Sequence, residues 1–125
     1  LNDPTSRAYF ENSVGNSVLF DVDGFTLNTS AKAALDIQAE WLLSNPGYVI
    51  VLEGHADERG TREYNLALGF RRAQSVQEYL VASGVSGLRL KTRSYGKERP
   101  VEICSSERCY EKNRRTVTIL NQSMS

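Results

Sequence analysis

The sequence predicts an α/β protein, an α+β sandwich in which two main helices cover one face of a mixed four-stranded sheet. A continuous β-prone run occupies residues 48–53, as a strand buried on both faces requires. Residues 61–83 carry apolar side chains at helical period. The predicted order is strand, helix, strand, helix, strand, strand. With 125 residues, 40% of them hydrophobic, the chain fits one domain with a single core.

The N-terminal segment, residues 1–17, is polar. Pro-Thr-Ser at residues 4–6 favours the start of a short helix, and Gly15 is a stop signal. Residues 18–22 alternate weakly and are typical of a strand. Asp-Gly at residues 23–24 then predicts a turn.

The first main helix is predicted to begin at Thr29 or Ser30, since either side chain is a good N-cap. Its apolar face is formed by Ala31, Ala34, Leu35, Ile37, Trp41 and Leu42. Asn-Pro-Gly at residues 45–47 ends this helix and leads into the strand at residues 48–53.

The second main helix is predicted to be capped by Thr61 and ended by Gly84. The rest of the chain is predicted to form a strand, a short helix or irregular segment, a last strand and a C-terminal tail, at residues 90–94, 107–114, 116–120 and 122–125. The folded domain should therefore span residues 18–121.

The second main helix has two distinct faces when its residues are placed about 100° apart. Its core-facing seam contains Leu66, Gly69, Ala73, Val76 and Leu80. Four other side chains lie about 85° round, at the edge of that seam: Thr61, Asn65, Leu68 and Arg72. Arg71 should point into solvent.

Asp57 precedes this helix, so its carboxylate and the guanidinium of Arg72 are expected to face one groove, with the free N–H groups of the helix start between them. Such a groove suits a zwitterion. The structural alternative is that Asp57 is a cap or turn residue and Arg72 extends to solvent from the seam edge. Spacing alone does not choose between these two interpretations.

Composition excludes several classes of partner. Fifteen basic and fifteen acidic residues cancel, and no basic stripe is interleaved with aromatic residues, which argues against nucleic acid or an anionic membrane surface. The longest apolar run, residues 48–52, is too short to span a bilayer. Cys104 and Cys109 can bridge if their loop turns back, whereas a metal pair is disfavoured because His55 is the only histidine.

The stretch HADERGTREYNLALGFRRAQSV, residues 55–76, resembles the cell-wall-binding motif of the OmpA-like domain family, in particular its peptidoglycan-associated lipoprotein (Pal) branch. Other blocks follow in the same order as in the family. VLFDVD, SNP, SYGKERP and NRR, at residues 18–23, 44–46, 94–100 and 113–115, resemble the first strand, the end of the first helix, a turn after a strand and the approach to the last strand. The resemblance thus implies the OmpA-like βαβαββ fold.

The resemblance also implies a ligand, the diaminopimelate side chain of peptidoglycan, held without covalent chemistry. Asp57 would meet its ammonium and Arg72 its carboxylate, to which arginine offers two parallel N–H groups that lysine lacks. Phe20 and Asp21 correspond to family positions that line the same groove, where Phe20 would give apolar contact to the methylenes of the ligand; the alternative for Phe20 is a plain core role. Leu68 would pack on the alkyl stem of the ligand, with Thr61 and Asn65 also in the groove.

Three further residues are expected to support the groove: His55 as a structural hydrogen-bonding group, and Asn113 and Arg114 from the approach to the last strand. Phe70 departs from the family pattern, which usually has Glu there, and should lie exposed on the outer flank of the helix. This difference leaves the wall-binding pair intact but puts in doubt any partner contact made by the usual Glu.

As a Pal-like protein, the chain is expected to be a non-enzymatic anchor without cofactor or metal, at the periplasmic side of the Gram-negative outer membrane. TolB and other Tol-Pal components are the implied partners. The chain opens at Leu1, so we expect a soluble fragment without the N-terminal lipid anchor. The alternatives are another OmpA-like wall anchor, such as a porin tail or a flagellar stator protein, and a peptidoglycan hydrolase that uses His55, Asp57 or Glu58.

The periplasmic location implied by the resemblance favours a disulfide between Cys104 and Cys109. We expect this bridge to stabilise one loop that lies away from the second main helix. A ring with so few residues constrains the unfolded chain little, so its contribution to stability should be at the low end of about 2 to 4 kcal/mol.

Overall fold

The computed structural model describes residues 3–122 and contains the predicted mixed sheet. Its strands are β1 (Ser17–Leu19), β2 (Tyr48–His55), β3 (Leu90–Gly96) and β4 (Arg115–Gln122). They lie in the order β1-β4-β2-β3. Strands β1 and β2 both run antiparallel to β4, and β2 runs parallel to β3. The prediction of a mixed four-stranded sheet is confirmed.

Four α-helices accompany the sheet within the described residues: α1 (Arg7–Tyr9), α2 (Thr29–Ser44), α3 (Arg62–Ala82) and α4 (Glu107–Asn113). A π-helical turn, Phe10–Val14, continues α1, and a 3-10 turn, Gly87–Arg89, leads into β3. The two long helices, α2 and α3, are the predicted main helices and cover one face of the sheet. Among the described residues, no helix is both long and apolar enough to span a membrane.

Helix caps follow from local chemistry. The hydroxyl of Thr61 accepts a hydrogen bond from the N–H of Tyr64 at 3.1 Å, as predicted for the start of α3. Helix α2 is capped by Asn28, whose side-chain oxygen accepts from the N–H of Ala31 at 2.8 Å. The prediction of Thr29 or Ser30 is therefore one or two residues late.

The first strand ends earlier than predicted, at Leu19 rather than at residue 22. The N–H of Phe20 still donates to the carbonyl of Arg114 at 2.8 Å, and the chain then turns away from β4. The N–H of Gly24 donates to the carbonyl of Asp21 at 3.0 Å, and Asp23 adopts a positive φ of 55°. This turn directs the side chains after β1 towards the start of α3.

The N-terminal segment belongs to the packed core, although the predicted domain begins at residue 18. Phe10 is fully buried, and its ring centroid lies 4.9 Å from that of Trp41. The indole N–H of Trp41 donates to the carbonyl of Pro4 at 2.7 Å. Residues 123–125 of the predicted tail lie outside the described residues, and Gln122 ends β4.

The backbones of helix α3 and strand β2 are in direct contact because Gly69 and Gly54 face each other. A Cβ on Gly54 would overlap the carbonyl oxygen of Gly69. The hydroxyl of Ser94 donates to the carbonyl of Leu66 at 2.7 Å and so fastens the first turns of α3 to β3. Four of the five predicted seam residues are buried, whereas Leu66 is half-buried. The close contact places the start of α3 beside the end of β2.

Candidate functional site

A pocket opens where β2 ends and α3 begins. Its wall is formed by Val22, Asp23, Asp57, Arg59, Gly60, Tyr64, Asn65, Leu68 and Arg72. Asp57 and Arg72, the predicted charge pair, thus lie on one pocket. Asn65 and Leu68, from the same predicted sector of α3, line it as well.

Arg72 is held rigidly by the backbone. Its guanidinium donates to the carbonyls of Gly24, His55 and Asp21 at 2.7, 2.9 and 3.0 Å. The side chain is fully buried, not at the seam edge as predicted, because the turn after β1 closes over it. Burial lowers its pKa to about 10, so it stays charged at neutral pH. Three of the five guanidinium N–H groups thus have backbone acceptors, and two remain.

Asp57 lies at the end of a charged hydrogen-bond network. Its carboxylate accepts from the backbone N–H and the Nη2 of Arg59, at 3.0 and 2.8 Å. Arg114 Nη1 lies 3.4 Å from the same carboxylate. Burial acts to raise the pKa of Asp57, but the hydrogen bonds from Arg59 and Arg114 outweigh it and leave that pKa below its usual range. Asp57 is therefore an ionised acceptor.

The sequence analysis missed two charged residues of the pocket. Asp23 stands on the pocket wall and accepts a hydrogen bond from the hydroxyl of Tyr64 at 3.1 Å. Arg59 covers Asp57, and its guanidinium lies 4.3 Å from the ring centroid of Tyr110. Arg59 could have been found from the sequence, because it follows Asp57 by two residues in a turn, and an Asp side chain in a turn commonly bonds to the residue two positions later. With these two residues, the pocket carries two carboxylates and two guanidinium groups.

Phe20, Asp21 and Thr61 do not line this pocket. Phe20 is a core residue with 3% exposure, although its ring centroid lies 5.4 Å from the guanidinium carbon of Arg72. Asp21 contributes its carbonyl to Arg72, and its exposed side chain faces a neighbouring groove between β1 and α2. The wall positions belong to Val22 and Asp23, two residues further along, because β1 ends early and the chain turns.

His55 is not the structural hydrogen-bonding group that the sequence predicted. Its ring is 2% exposed, and neither ring nitrogen has a hydrogen-bond partner among the described residues. The ring stacks on Tyr95 with centroids 5.6 Å apart. Burial, with Arg115 and Arg99 nearby, lowers its pKa to about 4, so the ring is neutral at pH 7. His55 supports the site through its backbone carbonyl, which accepts a hydrogen bond from Arg72.

Arg114 supports the site directly, whereas Asn113 does not. Arg114 joins Asp57 to the turn after β1, since its Nε donates to the carbonyl of Phe20 at 2.9 Å. Asn113 instead accepts from the N–H groups of Val101 and Glu102 at 2.7 and 3.1 Å, so it braces the loop before α4.

Cys104 and Cys109 form the predicted disulfide. The bridge was expected on a loop away from the second main helix, and its ring contacts the turn that precedes this helix. Ser105, inside the ring, donates to Glu58 at 3.0 Å, and Glu107 accepts from Arg114 at 2.7 Å. The first contact, together with the approach of Glu107 to Arg59 at 3.8 Å, reaches the turn that carries Asp57. The expectation of an exposed Phe70 is confirmed, with 42% exposure.

Among residues 3–122, no group of three or more His, Cys, Asp or Glu side chains could hold a metal ion.

The sequence pattern of the OmpA family matches residues 19–114, which include both members of the charge pair. The chain belongs to the OmpA family. This OmpA-family domain is 53% identical over 117 residues to the peptidoglycan-associated lipoprotein of Rhizobium meliloti, covering 94% of this chain and 66% of that protein. The corresponding protein of Pseudomonas aeruginosa is 53% identical over 96 residues, 77% of this chain and 56% of the relative. The domain thus spans no more than about two thirds of these relatives.

Solved structures support the same assignment. The crystal structure of the peptidoglycan-associated lipoprotein from Burkholderia pseudomallei superimposes with a TM-score of 0.86 and 37% identity, over 95% of this chain and 100% of that chain. The C-terminal domain of Helicobacter pylori MotB superimposes with a TM-score of 0.77 at 20% identity, over 87% of this chain and 86% of that chain. The MotB likeness concerns the fold alone.

Proposed function

We propose that this OmpA-family domain binds peptidoglycan without covalent chemistry by gripping the end of a diaminopimelate side chain. The observation that carries the proposal is the placement of ionised Asp57 and buried, charged Arg72 on one pocket. An ammonium and a carboxylate on one carbon match this pair of opposite charges. The names of the relatives in Rhizobium meliloti and Burkholderia pseudomallei, both peptidoglycan-associated lipoproteins, support peptidoglycan as the polymer that is bound.

In this proposal Arg72 receives the ligand carboxylate through its two remaining N–H groups, already oriented by three backbone carbonyls. The ligand ammonium binds between Asp57 and Asp23, and Arg59 yields part of its pairing with Asp57. Leu68 covers the alkyl stem. Because the fixed groups are ordered before binding, little conformational entropy is lost at the pocket floor.

The supporting roles fall to residues behind the pocket. Phe20 and Asp21 act through Arg72, the first by packing near its guanidinium and the second by its carbonyl. Thr61 fixes the start of α3, and Asn65 holds the Asp57 turn by donating to the carbonyl of Arg59 at 2.7 Å. His55 and Arg114 hold Arg72 and Asp57 respectively.

We propose a non-catalytic role. The hydrolase alternative needs a general acid or base of suitable pKa, but the His55 ring is buried, and the two arginines lower the pKa of Asp57, which leaves it no proton to donate and makes it a weak base. The role proposed for the whole protein is that of Pal in a Tol-Pal system, with TolB as a partner. It would anchor the outer membrane to the wall from its periplasmic side through an N-terminal lipid. The names of the relatives, peptidoglycan-associated lipoproteins, support the lipid anchor and the association with the wall.

The test is sedimentation with purified diaminopimelate-type peptidoglycan, together with turbidity of the same suspension. We expect the protein to sediment with intact wall at constant turbidity. Protein left in the supernatant contradicts the binding proposal, and clearing of the suspension establishes a hydrolase instead.

A further inference from the structure

Four charges form a closed cluster at the edge of the pocket. Asp57 pairs with Arg59 at 2.8 Å and with Arg114 at 3.4 Å. Glu107, from the first turn of α4, binds Arg114 at 2.7 Å and lies 3.8 Å from Arg59. Both arginines are thus shared between a carboxylate of the pocket and a carboxylate of α4.

Glu107 is ionised and supplies the second negative charge of this cluster. The hydrogen bond from Arg114 lowers the pKa of Glu107, so its carboxylate is ionised at neutral pH. Asp57 and Glu107 together balance Arg59 and Arg114. Without Glu107, two guanidinium groups face Asp57 alone, and the net positive charge opposes the approach of an ammonium.

The disulfide holds Glu107 where this balance requires it. Residue 107 lies inside the ring closed by Cys104 and Cys109. Helix α4 has 7 residues, too few for a helix to be stable by itself. Cys109 is 3% exposed and fixes the helix in the protein, while Ser105 joins the ring to Glu58. Opening the ring therefore frees the first turn of α4 together with Glu107.

We propose that the disulfide-closed segment 104–109 is a positioning element of the ligand site, in which Glu107 draws Arg114 from Asp57 and so leaves Asp57 able to bind the ligand ammonium. This inference rests on the proposed function and adds a dependence of affinity on the redox state of the two cysteines. Glu107 is a positioning residue and makes no contact with the ligand in this scheme.

The experiment compares oxidised and reduced protein by calorimetric titration with a stem tripeptide that ends in meso-diaminopimelate. A dithiol reductant breaks the S–S bond and leaves two thiols, while the dithiol becomes a cyclic disulfide, a transfer of two electrons and two protons. We expect reduction to weaken binding about three- to tenfold, as expected for a partly exposed charge coupling. Cys104→Ser/Cys109→Ser should give the same loss.

Glu107→Gln separates positioning from general loosening of the structure. In oxidised protein it should also weaken binding about three- to tenfold, and reduction of this variant should then cause no further loss. Glu107→Asp should restore most of the affinity. Glu111→Gln is the matched control, since it makes the same charge change on α4 outside the cluster and should leave affinity unchanged.

The outcomes are distinguishable. Failure of the oxidised protein to bind the tripeptide contradicts the proposed function itself. Normal binding with equal affinity before and after reduction contradicts the positioning role. Additive losses from reduction and Glu107→Gln show that the disulfide acts by another route and also overturn the inference, provided thermal unfolding shows each variant to be folded at the titration temperature.

Discussion

The guanidinium of Arg72 donates to the carbonyl of His55 at 2.9 Å, so the buried cation of the pocket is fixed to the end of β2, two residues before Asp57. The Arg72 guanidinium is therefore held in place by backbone carbonyls at a fixed position relative to the turn that carries Asp57. A pocket built in this way should discriminate sharply between ligands whose charges are differently spaced.

The charge pair gives the first prediction. Asp57→Asn should remove most wall binding, at a cost of about 2 to 5 kcal/mol, because the ligand ammonium then lacks its partner at a desolvated site. Arg72→Lys should also weaken wall binding strongly, because lysine keeps the charge but cannot hold three backbone carbonyls and offer two parallel N–H groups to the ligand carboxylate. Sedimentation with purified wall measures the effect. Arg71→Lys is the matched control, since the Arg71 side chain is exposed and its guanidinium lies beside Phe25. Equal losses from the two lysine variants would contradict the assignment of Arg72.

Arg72→Ala should lower stability as well as binding. It leaves the carbonyls of Gly24, His55 and Asp21 without their donor. Each buried acceptor that stays unsatisfied costs about 1 to 3 kcal/mol. Denaturant unfolding of Arg72→Ala beside Arg71→Ala checks this expectation, and equal midpoints for the two variants would contradict it.

The second prediction concerns the ligand. Diaminopimelate-type wall should be retained, whereas lysine-type wall, which lacks the terminal carboxylate, should bind much more weakly because Arg72 then faces no anion. In the Arg72→Lys variant this preference should be reduced, because lysine lacks the two parallel N–H groups that bind the carboxylate. Equal retention of both wall types by the unchanged protein would contradict the proposed role of Arg72.

The third prediction concerns pH and His55. The folded pKa is about 4, whereas the ordinary value is 6.5, so between these limits the unfolded chain binds the proton more readily. The contribution of the neutral His55 ring to the free energy of unfolding is therefore fully present above pH 6.5 and is lost as the pH falls towards 4. We expect a loss of roughly 2 to 3 kcal/mol.

His55→Phe isolates this effect because it keeps a stacked ring on Tyr95 and removes the titration. Urea unfolding at pH 7 and pH 4 should show a smaller loss for the variant than for the unchanged protein. Carboxylates that titrate in this range contribute to both and cancel in the comparison. An identical loss in the two proteins would show that His55 is not the responsible group.

The fourth prediction concerns the N-terminal segment. Phe10→Ala should lower the free energy of unfolding by about 3 to 5 kcal/mol, since the ring is fully buried against Trp41. Phe70→Ala is the control, because an exposed phenylalanine outside the core should change stability by no more than about 0.5 kcal/mol. If both variants unfold at the same urea concentration, the segment is not part of the cooperative core.

The sequence by itself determined what depends on neighbours along the chain. Helical period placed Arg72 on the pocket side of α3 and Arg71 in solvent, and the hydroxyl of Thr61 marked the start of α3. The β-prone run predicted β2, and the spacing of the cysteines allowed the disulfide. Each signal acts within one or two turns or along one strand, so it can be read without knowledge of the fold.

The tertiary structure decided what depends on residues distant in sequence. The carbonyls of Gly24 and Asp21 that hold Arg72 lie 48 and 51 residues away from it. That Val22 and Asp23, rather than Phe20 and Asp21, line the pocket depends on where β1 leaves β4. The place of Glu107 beside Arg114 and Arg59 depends on the packing of α4. Hydrogen bonds and ion pairs between distant segments form only after the core has brought those segments together, and so no local pattern in the chain encodes them.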